Sequence, residues 1–96
     1  MAVLDISSAA RADLDALIDD GVERFGADFA LDYVAGIAAA LKRLEQFPES
    51  APFVDWRRDG VRKLTTGSHV AFYRIEGQIV RVLRILHQRM EPSRHL

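Results

Sequence analysis

The chain opens on a short apolar run and then changes to helical spacing. Residues 3–6 predict a brief opening strand. Apolar residues then recur every three or four positions in two sets, which predicts two helices: Leu14, Leu17, Ile18, Val22 and Phe25, then Ala30, Tyr33, Val34, Ile37, Leu41, Leu44 and Phe47. Ser7 or Ser8 can cap the first helix, Gly26 can end it, and Pro48 ends the second. Because the link at Gly26 is short, we expect an antiparallel helical hairpin.

Three runs rich in β-forming residues follow the helices, at residues 61–66, 69–75 and 78–90. They are joined by Gly67-Ser68 and Glu76-Gly77, and such pairs favour hairpins because a tight turn needs a positive φ. Residues 49–60 form the one irregular connection. The order β-α-α-β-β-β therefore predicts the α+β class, with an antiparallel sheet packed against an N-terminal helical hairpin. We expect neither a signal peptide nor a membrane-spanning segment.

Both faces of the predicted sheet are rich in apolar residues. Strict alternation around the Glu76-Gly77 turn gives one face Val70, Phe72, Arg74, Ile79, Arg81, Leu83, Ile85 and His87. The opposite face receives His69, Ala71, Tyr73, Ile75, Val80, Val82, Arg84 and Leu86. The hairpin can cover only one of these faces. The other must be covered by a partner segment, or by the chain's own tail and N-terminal strand.

Charge divides the chain into two halves. Residues 1–55 hold four basic residues against eleven acids, a net charge of −7, and residues 56–96 hold nine against three, a net charge of +6. This asymmetry reflects either mutual attraction of the halves or an interaction surface for an anionic partner. The absence of cysteine excludes disulfides and cysteine-ligated metal sites, and it fits a reducing cytoplasm. We expect no cofactor and no metal.

Candidate chemistry is limited to histidines and arginines. His87 follows the last strand and lies close to Arg89 in the sequence. It could act as a general acid or base in RNA cleavage, with arginines stabilising the phosphorane charge, or it could cap the strand end. In the irregular connection, Trp56 precedes Arg57 and Arg58. The tryptophan either covers an edge of the core or forms a binding hot spot.

Four stretches, in this order, resemble the RelE/ParE toxin superfamily: residues 9–17, Phe47-Pro48-Glu49, residues 67–74 and residues 82–90. The resemblance spans nearly the whole chain, as one toxin domain of residues 1–96, and is greatest to the ParE branch. It implies a non-enzymatic toxin of a type II toxin–antitoxin system that poisons DNA gyrase. It also implies neutralisation by the C-terminal portion of a ParD-like antitoxin in a hetero-oligomer.

The RelE-like branch of the superfamily gives the alternative function. Those toxins cut ribosome-bound mRNA, and they typically carry a catalytic tyrosine, or a His–Tyr pair, near the C-terminus. No tyrosine follows Tyr73 in this chain, although Arg81 and Arg84 remain as candidate cations. The resemblance therefore favours a gyrase-directed toxin over an mRNA endoribonuclease. A protein-interaction domain that has lost toxicity is a third possibility.

The resemblance and the basic half together predict two contact surfaces. DNA gyrase is expected to meet the strand end and tail, because a rigid sheet positions the side chains at its ends, through Arg84, His87, Arg89, Met90 and Arg94. The antitoxin is expected to bring acidic groups to Trp56, Arg57, Arg58, Arg62, Arg74 and Arg81. We expect DNA to be contacted only through the antitoxin or gyrase, and the protein to be cytoplasmic, with no membrane partner.

Overall fold

The computed structural model describes residues 1–96 and contains a four-stranded sheet with a helical hairpin against one face. The elements are β1 (Val3–Ile6), α1 (Ser8–Phe25), α2 (Ala27–Arg43), β2 (Arg62–Thr66), β3 (His69–Glu76) and β4 (Ile79–His87), followed by a short 3₁₀ helix (Pro92–Arg94). The predicted order of strands and helices is confirmed. Neither α-helix combines the length and the apolar character that crossing a membrane requires.

The sheet has the order β1-β4-β3-β2. Strands β2, β3 and β4 are antiparallel, as predicted, whereas β1 pairs in parallel with β4. The sheet is therefore mixed. After the helical hairpin the chain forms β2, β3 and β4 as an antiparallel meander. β1 pairs with the free edge of β4 and runs parallel to it.

Single residues set the ends of the helices. The Ser7 hydroxyl accepts the Ala10 N–H at 3.0 Å and donates to the Leu83 carbonyl at 2.8 Å, so it both caps α1 and joins it to β4. Gly26, with φ at +90°, is the only residue between α1 and α2. Such a short link requires the antiparallel hairpin that the sequence predicted.

The main core lies between the hairpin and one face of the sheet. Its fully buried members are Ala10, Ile37, Leu41, Leu44, Ala51, Ala71, Tyr73, Val80, Val82 and Ile85. Tyr73 is the largest of them, and its hydroxyl donates to the Pro48 carbonyl at 2.7 Å. That bond satisfies the polar end of the side chain, so burial of the ring adds stability without leaving an unpaired hydroxyl.

The other face of the sheet, here the outer face, carries a smaller apolar cluster. Val54, Val61, Phe72 and Leu86 are buried there, and the partly buried Val70, Leu83 and Leu96 pack against them. The irregular connection and the end of the tail thus cover part of the outer face. Val70 and Leu83 remain partly exposed.

The strict alternation predicted for β4 is wrong beyond Leu83. Phe72 pairs with Arg84, whereas the next residue, Tyr73, pairs with Val82, so Leu83 is an extra residue in β4. Such a β-bulge reverses which face each following side chain occupies. A bulge depends on pairing between strands and leaves no mark in the local apolar pattern.

The side chains of Ile85, Leu86 and His87 lie on the face opposite the predicted one. Ile85 lies in the main core beside the helices, and Leu86 lies in the outer cluster, the reverse of the prediction. His87 lies on the helix side, where it pairs with His69. The bulge therefore places Ile85 and His87 on the side of the sheet that faces the helical hairpin.

Truncation of Leu41 tests the packing of the hairpin. Leu41 is 2% exposed, whereas Leu31 on the same helix is 57% exposed. Leu41→Ala is expected to lower the free energy of unfolding by about 2–5 kcal/mol because it leaves a cavity. Leu31→Ala should change it by no more than about 0.5 kcal/mol. Urea denaturation measures both, and a Leu41→Ala midpoint equal to that of the wild type would contradict this packing.

Candidate functional site

Three arginines of the predicted antitoxin surface are held in internal ion pairs. They belong to a row of alternating charges, here the charged row: Asp5, Arg81, Glu76, Arg74, Asp59 and Arg57. Hydrogen bonds from Arg81 and then Arg74 hold the pKa of Glu76 below its usual value. Three cations and three anions compensate one another. An antitoxin carboxylate at this row would therefore have to compete with acids already in place.

Arg84 joins β4 to α1. Its Nε and Nη2 atoms each donate to one carboxylate oxygen of Asp13 at 2.8 Å, and its Nη1 donates to the His95 carbonyl at 3.0 Å. Asp13 also accepts the Ile85 N–H at 2.9 Å. Burial acts to raise the pKa of Asp13, but the bonds from Arg84 and Ile85 outweigh it and hold the pKa below its usual value. Arg84, predicted to contact the target, is thus committed to an internal ion pair.

The low pKa of Asp13 makes part of the stability dependent on pH. Because this pKa is lower in the folded chain, the carboxylate stabilises the fold above its unfolded value of about 3.9, and the contribution is lost as the pH falls through the folded pKa. Asp13→Asn is expected to lower the free energy of unfolding at pH 7 by about 1–3 kcal/mol. It should also make the free energy of unfolding fall less steeply as the pH is lowered into the acid range.

Asp15→Asn supplies the control, since Asp15 is exposed on the same helix and makes no ion pair. Urea melts from neutral to strongly acidic pH measure both variants beside the wild type. If the free energy of unfolding of Asp13→Asn falls with pH as steeply as that of the wild type, Asp13 is not the source of the pH-dependent stability.

Tyr33 connects α2 to the ends of β3 and β4. Its hydroxyl accepts the Ser68 N–H at 2.8 Å and lies 2.7 Å from His69 Nδ1. The rings of His69 and His87 meet edge to face, with centroids 5.2 Å apart. Burial, and then the proximity of His87, lowers the pKa of His69 and favours its neutral form. Sequence reasoning missed this contact, because helical spacing marked Tyr33 only as an apolar position.

Of the remaining residues of the predicted target surface, Arg89, Met90 and Arg94 lie after β4, whereas His87, predicted to follow the last strand, is the final residue of β4. His87 Nδ1 accepts the Arg89 N–H at 3.1 Å, so His87 caps the end of the strand, one of its two predicted roles. Arg89, Met90 and Arg94 are exposed, and neither arginine makes an ion pair. The tail thus carries two free cations and an exposed, flexible apolar side chain, and it follows the half-buried His87.

The irregular connection brings aromatic and cationic side chains to the outer face. Trp56 is 42% exposed, and the Arg57 guanidinium lies 5.8 Å from its ring centroid. Arg62 lies over the exposed Phe53 ring at 3.9 Å and donates to the Ala51 carbonyl. Trp56 also lines a cavity of about 150 Å³. This group has the exposed aromatic area and the cations typical of hot spots, and its role in antitoxin binding remains a prediction.

Comparison with known proteins identifies the family to which the sequence and this fold correspond. Residues 4–92 match the family described as "ParE toxin of type II toxin-antitoxin system, parDE". The chain belongs to the ParE toxin family. Toxin ParE1 of Mycobacterium tuberculosis is 39% identical over 92 residues, which cover 95% of this chain and 94% of that one. Toxin ParE1 of Caulobacter vibrioides is 35% identical over 91 residues, with the same shares of each chain.

Solved structures agree with the family. A chain of the chromosomal ParDE TA system of P. aeruginosa superposes with a TM-score of 0.80 at 32% identity, covering 91% of this chain and 96% of that one. A chain of the toxin–antitoxin complex RelBE2 of Mycobacterium tuberculosis gives a TM-score of 0.63 at 22% identity, over 90% and 96%, and shows the fold alone. The predicted RelE/ParE-like fold and the prediction of a type II toxin are confirmed.

In this ParE toxin, the turn between β2 and β3 depends on Gly67. Its φ is +59°, and a Cβ there would lie 2.7 Å from the Tyr33 hydroxyl oxygen. Gly77 has φ at +61° with open space around it. Both Gly→Ala variants lose stability to the positive φ, but Gly67→Ala should lose about 1–3 kcal/mol more because it also meets Tyr33. Thermal melts compare the two, and equal losses would contradict the close contact with Tyr33.

Proposed function

We propose that this ParE toxin acts in the cytoplasm by inhibiting DNA gyrase, that it is not an enzyme and needs no cofactor, and that a ParD-like antitoxin neutralises it. Family membership across residues 4–92 supports a ParE-type action. The likeness to a chain of the ParDE TA system of P. aeruginosa supports an antitoxin partner. Residues 1–96 are taken to act as one toxin domain.

The ion pairing of the sheet arginines is the observation that carries the proposal. A nuclease needs uncompensated cations to hold a polyanion, and a free acid–base group beside them. Arg74 and Arg81 are instead paired within the charged row, and Arg84 is paired with Asp13. His87 Nδ1 is occupied by a backbone N–H, and the free cations Arg89 and Arg94 lie in the tail beyond the sheet. These contacts favour action on a protein target over cleavage of RNA.

An mRNA endoribonuclease is the second candidate, and one contact favours it. Tyr33 and His69 form a His–Tyr pair at 2.7 Å, although the tyrosine comes from α2 and not from the C-terminus. Asp13 and Asp20 line the same groove as this pair. Asp13 is paired with Arg84 and Asp20 with Arg24, so these contacts leave no uncompensated cation beside the pair to hold RNA.

The tail is the surface we assign to gyrase. Arg89 and Arg94 are free cations, and Met90 is 40% exposed between them in the sequence. Such side chains suit an anionic patch on gyrase or on its bound DNA. Arg84 and His87 act beneath them by holding the tail and the strand end in position.

The outer face of the sheet is the surface we assign to the antitoxin. Val70 and Leu83 are partly exposed there, and Trp56 stands at its edge. An amphipathic segment can cover the apolar strip while its acids meet Arg58 and Arg62 or compete for the arginines of the charged row. Neutralisation is expected to bury about 2,000 Å² or more, as obligate-like complexes do.

Both activities can be measured on one preparation of the free toxin. Inhibition of gyrase supercoiling with a cleaved-DNA product is expected, and ribosome-bound mRNA should stay intact. Arg89→Glu combined with Arg94→Glu should weaken gyrase inhibition by about tenfold or more, because it reverses the charge of the contact surface. Arg11→Glu is the control, since Arg11 is exposed on α1 and makes no ion pair.

The variants also separate the two candidate functions. His87→Ala should weaken gyrase inhibition only modestly, because no proton transfer depends on it. Site-specific mRNA cleavage that is lost in Tyr33→Phe or His87→Ala, with gyrase unaffected, would establish the endoribonuclease instead.

A further inference from the structure

The tail after β4 folds back onto the sheet. At its start, the Gln88 N–H donates to the Ser68 carbonyl at 2.9 Å. At its far end, the partly buried Leu96 packs against the outer cluster, which includes Phe72 of β3 and Leu86 of β4. Residues 88–96 therefore contact the sheet at both ends and form a closed loop, here the tail loop.

Arg84 adds a second contact at the far end of the tail loop. Its Nη1 donates at 3.0 Å to the carbonyl of His95, the residue before Leu96. The other two nitrogen atoms of the guanidinium donate to the carboxylate of Asp13 on α1. Because Asp13 holds Arg84 in place, this bond ties the tail loop to the helical hairpin as well as to the sheet.

Short-range bonds order the interior of the tail loop. The Glu91 carboxylate accepts the Ser93 N–H at 3.3 Å and the Ser93 hydroxyl at 3.0 Å, and so caps the 3₁₀ helix. The Leu96 N–H donates to the Pro92 carbonyl at 3.0 Å. A single helical turn is marginal in water by itself, because fixing its dihedral angles is unfavourable for the few hydrogen bonds it gains. The order of the loop therefore depends on the contacts at its two ends.

The exposed side chains assigned to gyrase lie between these two ends. Arg89 and Arg94 make no ion pair, and Met90 is 40% exposed. Long side chains that move freely in water cannot fix the backbone that carries them. Their relative positions are set instead by contacts of the loop that a partner need not touch.

We propose that Leu96 is a positioning residue for the gyrase contact. Its packing in the outer cluster closes the tail loop, and the closed loop presents Arg89, Met90 and Arg94 in one arrangement. A surface that is ordered before it binds loses less conformational entropy on binding. This inference rests on the proposed function, and it extends that function to a residue outside the predicted target surface.

Packing alone is the simpler role for Leu96. A leucine that only completes the outer cluster should affect gyrase inhibition no more than another substitution of similar cost to stability. A positioning residue should instead change the order of the tail loop and the inhibition of gyrase together. The two roles therefore predict different results for Leu96→Ala and for a matched substitution in the main core.

Backbone order is measured first, on the isotopically labelled full chain. In Leu96→Ala, the NMR order parameters of the amides in residues 89–96 should fall below about 0.6, from about 0.85 in the wild type. Leu96→Met keeps an apolar side chain of similar volume and should preserve the order. Ile37→Val removes one methyl group from a residue that is 1% exposed in the main core, so it controls for stability and should leave the loop ordered.

The wild type and the three variants are then compared for inhibition of gyrase supercoiling. If the loop of Leu96→Ala adopts the competent arrangement in about a fifth of the molecules or fewer, the concentration needed for half inhibition should rise about fivefold or more. Leu96→Met and Ile37→Val should match the wild type. Thermal melts show that each variant is folded under the conditions of the assay.

An ordered tail loop in Leu96→Ala would overturn the proposal, and so would a mobile loop with unchanged inhibition. Equal losses of inhibition in Leu96→Ala and Ile37→Val would assign Leu96 to packing alone, which also overturns it. A wild-type toxin that leaves gyrase fully active would refute the proposed target itself, and the positioning role would fall with it. That result is read from the wild type and is distinct from any result of the variants.

Discussion

The ion pair between Arg84 and Asp13 is the contact on which the functional end of the molecule depends. It joins α1 to β4 through two bonds of 2.8 Å, and Asp13 at the same time accepts the Ile85 N–H beside the bulge. The bulge sets the face of every side chain beyond Leu83. Arg84 also holds the His95 carbonyl, so one guanidinium positions the helix, the strand end and the tail.

Internal ion pairs compensate many of the charged residues, so the charges that remain free differ from those counted along the sequence. Arg74 and Arg81 share Glu76, and only two ion pairs cross between the halves: Arg81 with Asp5 and Arg84 with Asp13. Most of the charge that remains free on the helical hairpin is acidic, apart from Arg11 and Arg43, whereas Arg89 and Arg94 remain free on the tail. The hairpin and the tail of the toxin therefore differ in the charge of the partner that each suits.

The predicted fold needed only local information, which is why it was largely correct. Helical spacing located both helices, the cap at Ser7 and the stop at Gly26 placed their ends, and glycine-containing turns separated the three later strands. The candidate site was harder to predict. Trp56, Arg89, Met90 and Arg94 are exposed as a binding surface requires, whereas Arg84, also predicted to contact the target, is held in an ion pair with Asp13.

The sequence by itself determined the element order, the helical hairpin, the charge asymmetry and the resemblance to ParE toxins, because each is written in residue type and spacing along the chain. Only the tertiary structure decided which arginines are free, where β4 changes face, and that Tyr33 meets His69. These depend on pairs far apart in sequence, such as Asp13 with Arg84 and Tyr33 with Ser68. Local periodicity carries no information about the geometry of such pairs, since that geometry arises only when the hairpin packs on the sheet.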